Sequence, residues 1–449
     1  MRYPVRKASW NGSGRDCRFT GRRYWRDRCG CLALPGQAPI RAAVECSACC
    51  ATSLPCPSGV PPMSEPPFPR RLLVFAPSVD GGIPHYTHHQ AQELARRGVD
   101  VVVLTGKHNP WRQTNYRQVR ALTAVGPGSS ILNKALRVIN HVWIHYQLFW
   151  WILRLRPSAV LFEANTEFYA ALWSWPHLLL NRLGLTYVMT LHDPVRGLWF
   201  GPKWFSRLSL WSAYRLLRGG LIHGDPPKGA YLPPWLQVES VPHGLFDHMA
   251  AASAPYDLRE RLGIAREAFV VLSFGHIADR KNQHLLVEAV ARIPGAALVI
   301  AGPQMSRRNR PPQFYRDQAA SLGCADRVHV IDRFIPDEEA AAFFAACDIV
   351  ALTYDSGFVS QSGVIQIAAQ WDRPVIASSG AGPLQETVEG NGIGIFVEPD
   401  SSEAIERGLR QLMTDKTDRS AGYAAFRQNA SWEANVDGLL RLMDRVRRR

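Results

Sequence analysis

From Arg71 onward, short runs of almost uninterrupted apolar residues alternate with helix-like patterns, and the alternation is played out twice. In the first half the runs are Arg71–Ala76, Val99–Thr105, Ala159–Glu163, Thr186–Leu191 and Gly220–His223, with helices predicted over His85–Arg97, 133–156 and 205–218. In the second half they are Phe269–Phe274, Ala297–Ala301, Val328–Ile331 and Ile349–Leu352, separated by predicted helices Gln283–Ala291, Pro311–Leu322 and Asp337–Ala346. A strand with one wet face alternates apolar and polar residues, whereas a strand covered on both faces is apolar throughout. The pattern therefore predicts an α/β chain of two Rossmann-like doubly wound domains facing across a cleft. At 449 residues there is chain enough for two such cores. The expected divisions are a leader at 1–62, a first domain at 63–250, a second at 251–430, and a C-terminal helix at 431–449 that packs back toward the first. The domain break should fall near 245–255, where His243-Gly244 gives way to Ala-rich sequence.

In sheets of this kind ligands sit beyond the carboxyl ends of the strands. The stretch Val350–Val375 reads as a strand end, a polar loop of small residues, a helix opening at Ser362-Gly363-Val364, and a new strand at Pro374. Backbone N–H groups at a helix N-terminus have no intrahelical partner, and a glycine lets an anion come close to them. The other half has its own candidate in Gly81-Gly82, after the strand ending at Ala76. Two phosphate-friendly loops, one per half, suit a ligand that carries a diphosphate. His192 and Lys281 also fall at strand ends. His85, His88 and His89 on the first helix read mainly as structure, with His85 turned to the cleft.

Charge and cysteine are distributed unevenly. The formal net charge of +14 divides into +7 for residues 1–62, +9 for 63–250 and −2 for 251–449. Whatever needs positive charge is met by the first half, with anionic headgroups, a polyprenyl-diphosphate acceptor and nucleic acid as candidates and solubility as the plain alternative. Seven of the nine cysteines precede Met63, where no helical or strand periodicity and no signal-peptide core is found. Cys29-x-Cys31 and Cys46-x-x-Cys49 have zinc-like spacing, but the segment lacks the apolar residues to build a module around a metal. Residues 1–62 are therefore expected to be a disordered or non-native leader. The body, with Cys324 and Cys347 alone, fits a reducing cytoplasm.

Nine short motifs fall in one order along the body. They are Gly81-Gly82-Ile83; Thr190-Leu191-His192-Asp193-Pro194; Val241-Pro242-His243-Gly244; Phe274-Gly275-His276 through Arg280-Lys281-Asn282; Ala301-Gly302-Pro303; Ser360-Gln361-Ser362-Gly363-Val364; Arg373-Pro374-Val375-Ile376-Ala377; Gly382-Pro383-Leu384-Gln385-Glu386; and Ser431-Trp432-Glu433. Each is weak alone. Together, from Leu72 to about Met443, they resemble a glycosyltransferase of the GT-B fold, most like the retaining family-four group (glycosyl transferases group 1). The resemblance implies hexosyl transfer from a nucleotide-diphosphate sugar to a glycan or polyprenyl-linked acceptor in polysaccharide or glycoconjugate biosynthesis. It implies an acceptor-side first domain and a nucleotide-sugar-binding second domain, no cofactor and no nucleic-acid partner. It gives His192 and Lys281 as catalytic, with Asp355 added as the nearest acid before the loop, and Gly81, Gly82, Gly275, His276, Arg280, Lys281, Ser362, Gly363, Val364 and Glu386 are the donor-binding candidates.

Stabilising a departing diphosphate takes either a metal or fixed cations and backbone dipoles. No Asp-x-Asp pair occurs in the chain, so a metal-free route is expected, with Lys281 holding the diphosphate. Two positions depart from the family. His276 stands where an arginine is usual, and Arg280, beside Lys281, is the candidate to substitute for its charge. Val359 and Ile367 stand where most members carry two glutamates separated by seven residues, one reaching the donor sugar and one the ribose. A related subgroup with a Ser-Gln-Ser-Gly-Val loop is similar in lacking them. Asp355 then either contacts the sugar or caps a turn, Glu386 either caps a helix or touches the donor, and His192 either sits by the anomeric carbon or acceptor or is a satisfied structural group. A catalytically inactive sugar-nucleotide-binding or scaffold homologue is the alternative function.

The acceptor side is read from residues 133–156, rich in Trp, Tyr, Leu and Ile and flanked by Lys134, Arg137, Arg154 and Arg156. His141, His145 and Gln147 interrupt the run, which is too short to span ~30 Å of hydrocarbon. It is either a core helix or one lying at a membrane interface, and the Trp/Arg-bearing stretch 199–218 speaks for the interface. That reading places the protein in the cytoplasm, peripheral on the inner face of an anionic membrane. A dinucleotide-dependent oxidoreductase is excluded, because Asp80-Gly81-Gly82 lacks the Gly-x-Gly-x-x-Gly spacing and the second strand ends at Thr105-Gly106 without an acid.

Overall fold

Every expected apolar run forms a strand, because each has helices to cover both of its faces. The structure, a computed structural model, describes residues 68–79, 82–125, 130–164, 167–195, 201–227, 229–245 and 254–447. The expected leader, Gly81 and most of the 245–255 boundary lie outside them. In the N-terminal half the strands are β1 (Arg71–Ala76), β2 (Asp100–Gly106), β3 (Arg117–Leu122), β4 (Ala159–Phe162), β5 (Thr186–Thr190), β6 (Gly219–Ile222) and β7 (Gln237–Ser240). They form one parallel sheet in the order β3-β2-β1-β4-β5-β6-β7, with Leu73 beside Val102 on one side and Val160 on the other. Its helices are α1 (Gly82–Arg96), α2 (Ile131–Leu155), α3 (Ala170–Arg182) and α4 (Lys203–Leu216).

The C-terminal half repeats the plan. Its strands are β8 (Phe269–Phe274), β9 (Ala296–Ala301), β10 (Val328–Ile331), β11 (Ile349–Thr353), β12 (Val375–Ser378) and β13 (Gly394–Phe396), parallel in the order β10-β9-β8-β11-β12-β13. Helices α5 (Leu258–Leu262), α6 (Gln283–Ala291), α7 (Pro312–Ser321), α8 (Asp337–Ala346), α9 (Gly363–Gln370), α10 (Pro383–Gly390), α11 (Ser402–Thr414) and α12 (Ser420–Asn429) accompany them. Both sheets reverse direction beside their first strand, between β1 and β4 and between β8 and β11. That reversal opens a crevice at the strand ends.

The last helix, α13 (Trp432–Arg447), returns to the N-terminal sheet. Its buried Leu439, Leu442 and Met443 join Leu72, Val188 and Leu221 in one apolar cluster. Gly219 makes room for it, since a Cβ there would lie 3.0 Å from Leu442 Cγ. Asn435 Nδ2 donates to Tyr86 Oη (2.7 Å) and the Pro242 carbonyl (2.6 Å), and Asn435 Oδ1 accepts from Gln90 Nε2 (2.8 Å). An amide buried with these partners sets the helix register.

Several elements lie outside the expected set, among them β3, β7, β13, α3, α11 and α12, and two of them show how periodicity fails. β3 is an edge strand of sequence RQVRAL, half-exposed over most of its length, so no apolar run marks it. α3, AALWSWPHLLLNR, is apolar on nearly every side and carries Pro176, so neither a 3.6-residue nor a 2-residue period stands out. The helix expected over 133–156 is α2, capped by Ser130, whose Oγ accepts from Asn133 N at 3.1 Å. Only Ile144, His145, Leu148 and Ile152 are buried, a single stripe against the sheet. Ile139, Trp143 and Trp150 on the outside are each more than half exposed. It is thus a core helix along one side and an apolar surface on the other. Among the described residues no helix is long and apolar enough to cross a membrane.

Candidate functional site

The end of β8 is shaped by close backbone approach. Gly275 turns the chain at φ 85°, a conformation that side chains disfavour. Gly302, at the end of β9, packs so tightly behind it that a Cβ would overlap the Gly275 carbonyl. The chain then makes a single 3₁₀ turn, Asp279–Lys281, and folds Lys281 back. Its Nζ donates to the Phe274 carbonyl at 2.5 Å, while Thr353 Oγ1 at the end of β11 donates to the Lys281 carbonyl at 3.0 Å. A Cβ on Gly275 would stand 3.3 Å from Lys281 Nζ and 3.9 Å from Val364 Cγ2. One small space thus gathers the end of β8, the ammonium and the first turn of α9.

The opening of α9 is set by its own polar loop. Ser362 is the N-cap in extended conformation, yet its side chain does not cap the helix. Its Oγ instead pairs with Tyr354 Oη at 2.8 Å, and its N–H donates to Gln361 Oε1 at 3.1 Å. The amides of Gly363 and Val364 are therefore left for a ligand. Burial, with Arg280 adding to it, pushes the Lys281 ammonium down to about 7, so an anion that restores its charge is favoured. His276 is held below the ordinary imidazole range by burial first, then by Lys281 and Arg280. It is neutral near pH 7 and cannot replace an arginine's charge; that leaves Arg280, whose guanidinium lies over the Phe358 ring at 5.5 Å.

Asp355 turns inward on its own loop. Its Oδ1 accepts from Gly357 N at 3.1 Å and its carbonyl from Phe358 N at 3.0 Å, while its N–H donates to the Arg280 carbonyl at 2.8 Å. Burial, followed by the nearby Asp400, raises its carboxyl above the usual range. Glu386 is exposed in the first turn of α10 and makes no hydrogen bond or ion pair among the described residues. Of the two positions where glutamates are usual, Ile367 is in the apolar core and Val359 is half-buried beside the cleft.

The N-terminal half presents His192 at the end of β5. Its Nε2 lies 3.3 Å from Glu163 Oε2, and Thr190 Oγ1 donates to Glu163 Oε1 at 2.8 Å. Glu163, at the end of β4, is fully buried. A carboxylate facing Nε2 puts the proton there and leaves Nδ1 as acceptor. Tyr86 packs edge-on to His192, His223, His243 and Trp432, with ring centroids 4.8–5.3 Å away. Burial depresses His223 and His243, the latter to about 4, so both are neutral. Gly82 opens α1 at this end of the sheet. His88 and His89 are structural, stacked on Trp111 and Trp432, and His85 Nε2 approaches Asp337 Oδ2 of the other half at 3.8 Å.

The two halves meet where Ser360 Oγ donates to Asp193 Oδ1. A narrow cleft there has His192, His223 and Asp225 on one wall and Val359, Ser360 and Gln361 on the other. Lys281, Arg280 and free main-chain amides form a donor set for a diphosphate; they are not the oxygen ligands of a hard cation. Sequence reading missed Glu163, because a lone acid ending an apolar strand carries no motif. It also missed Tyr354 and Asp193 as fixers of the Ser360–Ser362 loop.

Residues 257–431 match the family described as Glycosyl transferases group 1, and residues 81–221 match the Glycosyl transferase 4-like domain. The chain is 29% identical over 233 residues to a D-inositol 3-phosphate glycosyltransferase of Stackebrandtia nassauensis, covering 49% of each. It is 29% identical over 190 residues to the lipopolysaccharide core biosynthesis glycosyltransferase LpsE of Rhizobium meliloti, covering 41% of this chain and 52% of that one. The matches thus span about half the length of these curated relatives. In structure it is similar to the sucrose-phosphate synthase of Thermosynechococcus elongatus (TM-score 0.63, 18% identity, 84% of this chain and 99% of that one). It is likewise similar to Anabaena HepE in complex with UDP and glucose (TM-score 0.61, 19% identity, 84% and 100%). These likenesses establish the two-domain GT-B fold.

Proposed function

This chain belongs to the group 1 glycosyl transferases on the GT-B fold, and we propose that it moves a hexose from a nucleotide-diphosphate sugar to a glycan or lipid-linked acceptor in glycoconjugate biosynthesis. The observation that carries this reading is the cradle in which Lys281, Gly275 and Val364 converge. A half-buried cation beside a helix N-terminus meets the charge that grows on a leaving diphosphate. The structural neighbour HepE holds UDP and glucose, which makes UDP-sugars the first donors to test. Transfer with retention of the anomeric centre and without a metal ion completes the proposal; Lys281, Arg280 and the α9 amides supply the charge that a metal would otherwise provide. His192, oriented by Glu163, faces the same cleft and is assigned to the reacting sugar or acceptor.

The outer face of α2, α3 and α4 is proposed to rest on the cytoplasmic face of an anionic membrane. Of the 20 exposed large hydrophobic residues among those described, 15 lie between Ile131 and Trp235, and the three helices hold no Asp or Glu. Apolar exposure joined to positive charge on helices that carry no acid is what an anionic interface takes up.

A thermal-shift panel of UDP-, GDP- and ADP-sugars, followed by turnover with the stabilising donor, tests the activity. Stabilisation by one nucleotide class, and a product whose anomeric configuration by NMR matches the donor, is expected. Inversion, or activity lost to chelation and restored by manganese, would overturn the corresponding part. The core placement of Ile367, where a ribose-binding glutamate is usual, favours a second reading as an inactive sugar-nucleotide-binding homologue. Donor binding without transfer or donor hydrolysis would select it.

A further inference from the structure

Beyond the cleft, the outer surface of the N-terminal half has a second cavity, of about 360 Å³. Arg182 enters it from the last turn of α3, Trp211 and Arg215 from α4, and Arg218 and Trp235 from the segments before β6 and β7. It shares no residue with the cleft at His192. Among the described residues three arginines line it and no carboxylate does. Arg182 and Arg215 make no ion pair among the described residues; the Arg215 guanidinium lies over the Trp235 ring at 5.8 Å. Among the described residues Arg218 Nη2 donates only to the Asn181 carbonyl, at 3.2 Å. Glu239, the acid of neighbouring β7, is already held by Arg441 Nε (3.1 Å) and Arg445 Nη2 (2.7 Å). Like charges gathered without a counter-charge repel, and an anion placed among them relieves the repulsion.

The surroundings say which anion. Leu172, Trp175, Leu179 and Leu183 form an exposed stripe at helical spacing along α3 and just past its end, and Trp204, Leu208 and Trp211 form another along α4. Both stripes run toward the cavity, which takes its arginines from the ends of these helices. A guanidinium offers phosphate a paired donor fork, and indoles prefer the boundary between hydrocarbon and water. We propose that this cavity binds the phosphate headgroup of an anionic lipid, with the lipid's chains lying along the α3 and α4 stripes. The inference rests on the membrane-facing reading and narrows it to one headgroup site.

The test compares two double variants of the full chain by sedimentation with phosphatidylcholine vesicles, with and without phosphatidylglycerol. R182Q/R215Q removes two cavity charges; K134Q/K203Q removes two charges elsewhere on the same face. The expected result is binding that needs phosphatidylglycerol and falls roughly tenfold to thirtyfold in R182Q/R215Q. K134Q/K203Q should lose only about a few-fold, and both should melt at the wild-type temperature. Equal losses in the two variants would overturn the headgroup site and leave a diffuse electrostatic contact. No binding of the wild type to either vesicle would overturn both the site and the membrane reading. Inorganic phosphate that quenches tryptophan fluorescence in the wild type but not in R182Q/R215Q, with no vesicle preference, would reassign the cavity to a soluble phosphate.

Discussion

The two halves share one winding and differ in what surrounds it. The N-terminal order β3-β2-β1-β4-β5-β6 recurs as β10-β9-β8-β11-β12-β13, yet the outer helices have opposite characters. In the C-terminal half, arginines are matched by acids: Arg259 with Asp348 at 2.7 Å, Arg310 with Asp279 at 3.3 Å, Arg333 with Glu339 at 2.5 Å. In the N-terminal half, α2, α3 and α4 carry exposed indoles and cations without one acid. The crevices differ as well. One holds a half-buried ammonium beside a helix N-terminus, the other a buried carboxylate behind a histidine. A doubly wound sheet dictates where a ligand goes but not which, since loops and outer faces vary without disturbing the core.

If the second half alone holds the diphosphate, Lys281→Ala should reduce turnover by about 100- to 1000-fold, the cost of losing one preorganised charge donor. Full activity in that variant would break the comparison outright. The first half is expected to matter less directly. Glu163→Gln puts an amide N–H where a carboxylate faced His192, so the imidazole loses its orientation. Turnover should drop by about tenfold to a hundredfold, less than the loss of an acid–base group itself can cost. Donor affinity should hold, and the His192 imidazole resonances should move; unchanged turnover and resonances would make Glu163 merely structural.

A smaller effect comes from pH. Lys281, lowered to about 7 in the free protein, regains its proton when a diphosphate binds beside it. Binding therefore takes up a proton, and nucleotide affinity by calorimetry should decline as pH rises from 7 to 9. The stability effect has the opposite sign. Because the folded value lies below that of the unfolded chain, this group makes the unliganded protein more stable as pH rises above 7. Affinity flat across that range, or a slope that survives in Lys281→Arg, would place the anion elsewhere. The smallest effect belongs to the outer face. Trp204→Gln should alter stability by less than about 0.5 kcal/mol, whereas Trp173→Ala, fully buried inside the same layer, should cost about 3–5 kcal/mol. A large loss at Trp204 in urea denaturation would show that this face is packed against something within the chain.

Much of this architecture is legible without coordinates, because a strand buried on both faces must be apolar at every position. β1, β8, β10, α6 and α8 begin and end where the residue pattern puts them. Edge strand β3 and the all-round apolar α3 are not legible, because β3 is half-exposed with no apolar run and α3 carries apolar residues on its exposed face as well as its buried one. At the site, Lys281 and Ser362-Gly363-Val364 could be placed from the strand–loop–helix order alone. What the sequence determined by itself is thus the winding and the ends of the strands where chemistry can occur. The tertiary structure alone decided that Ile367 lies in the core, that Glu163 stands behind His192, and that three arginines share one cavity with no carboxylate lining it among the described residues. Those outcomes depend on contacts between segments tens to hundreds of residues apart. Local pattern sets which face of an element is buried, and only packing decides which side chains then meet.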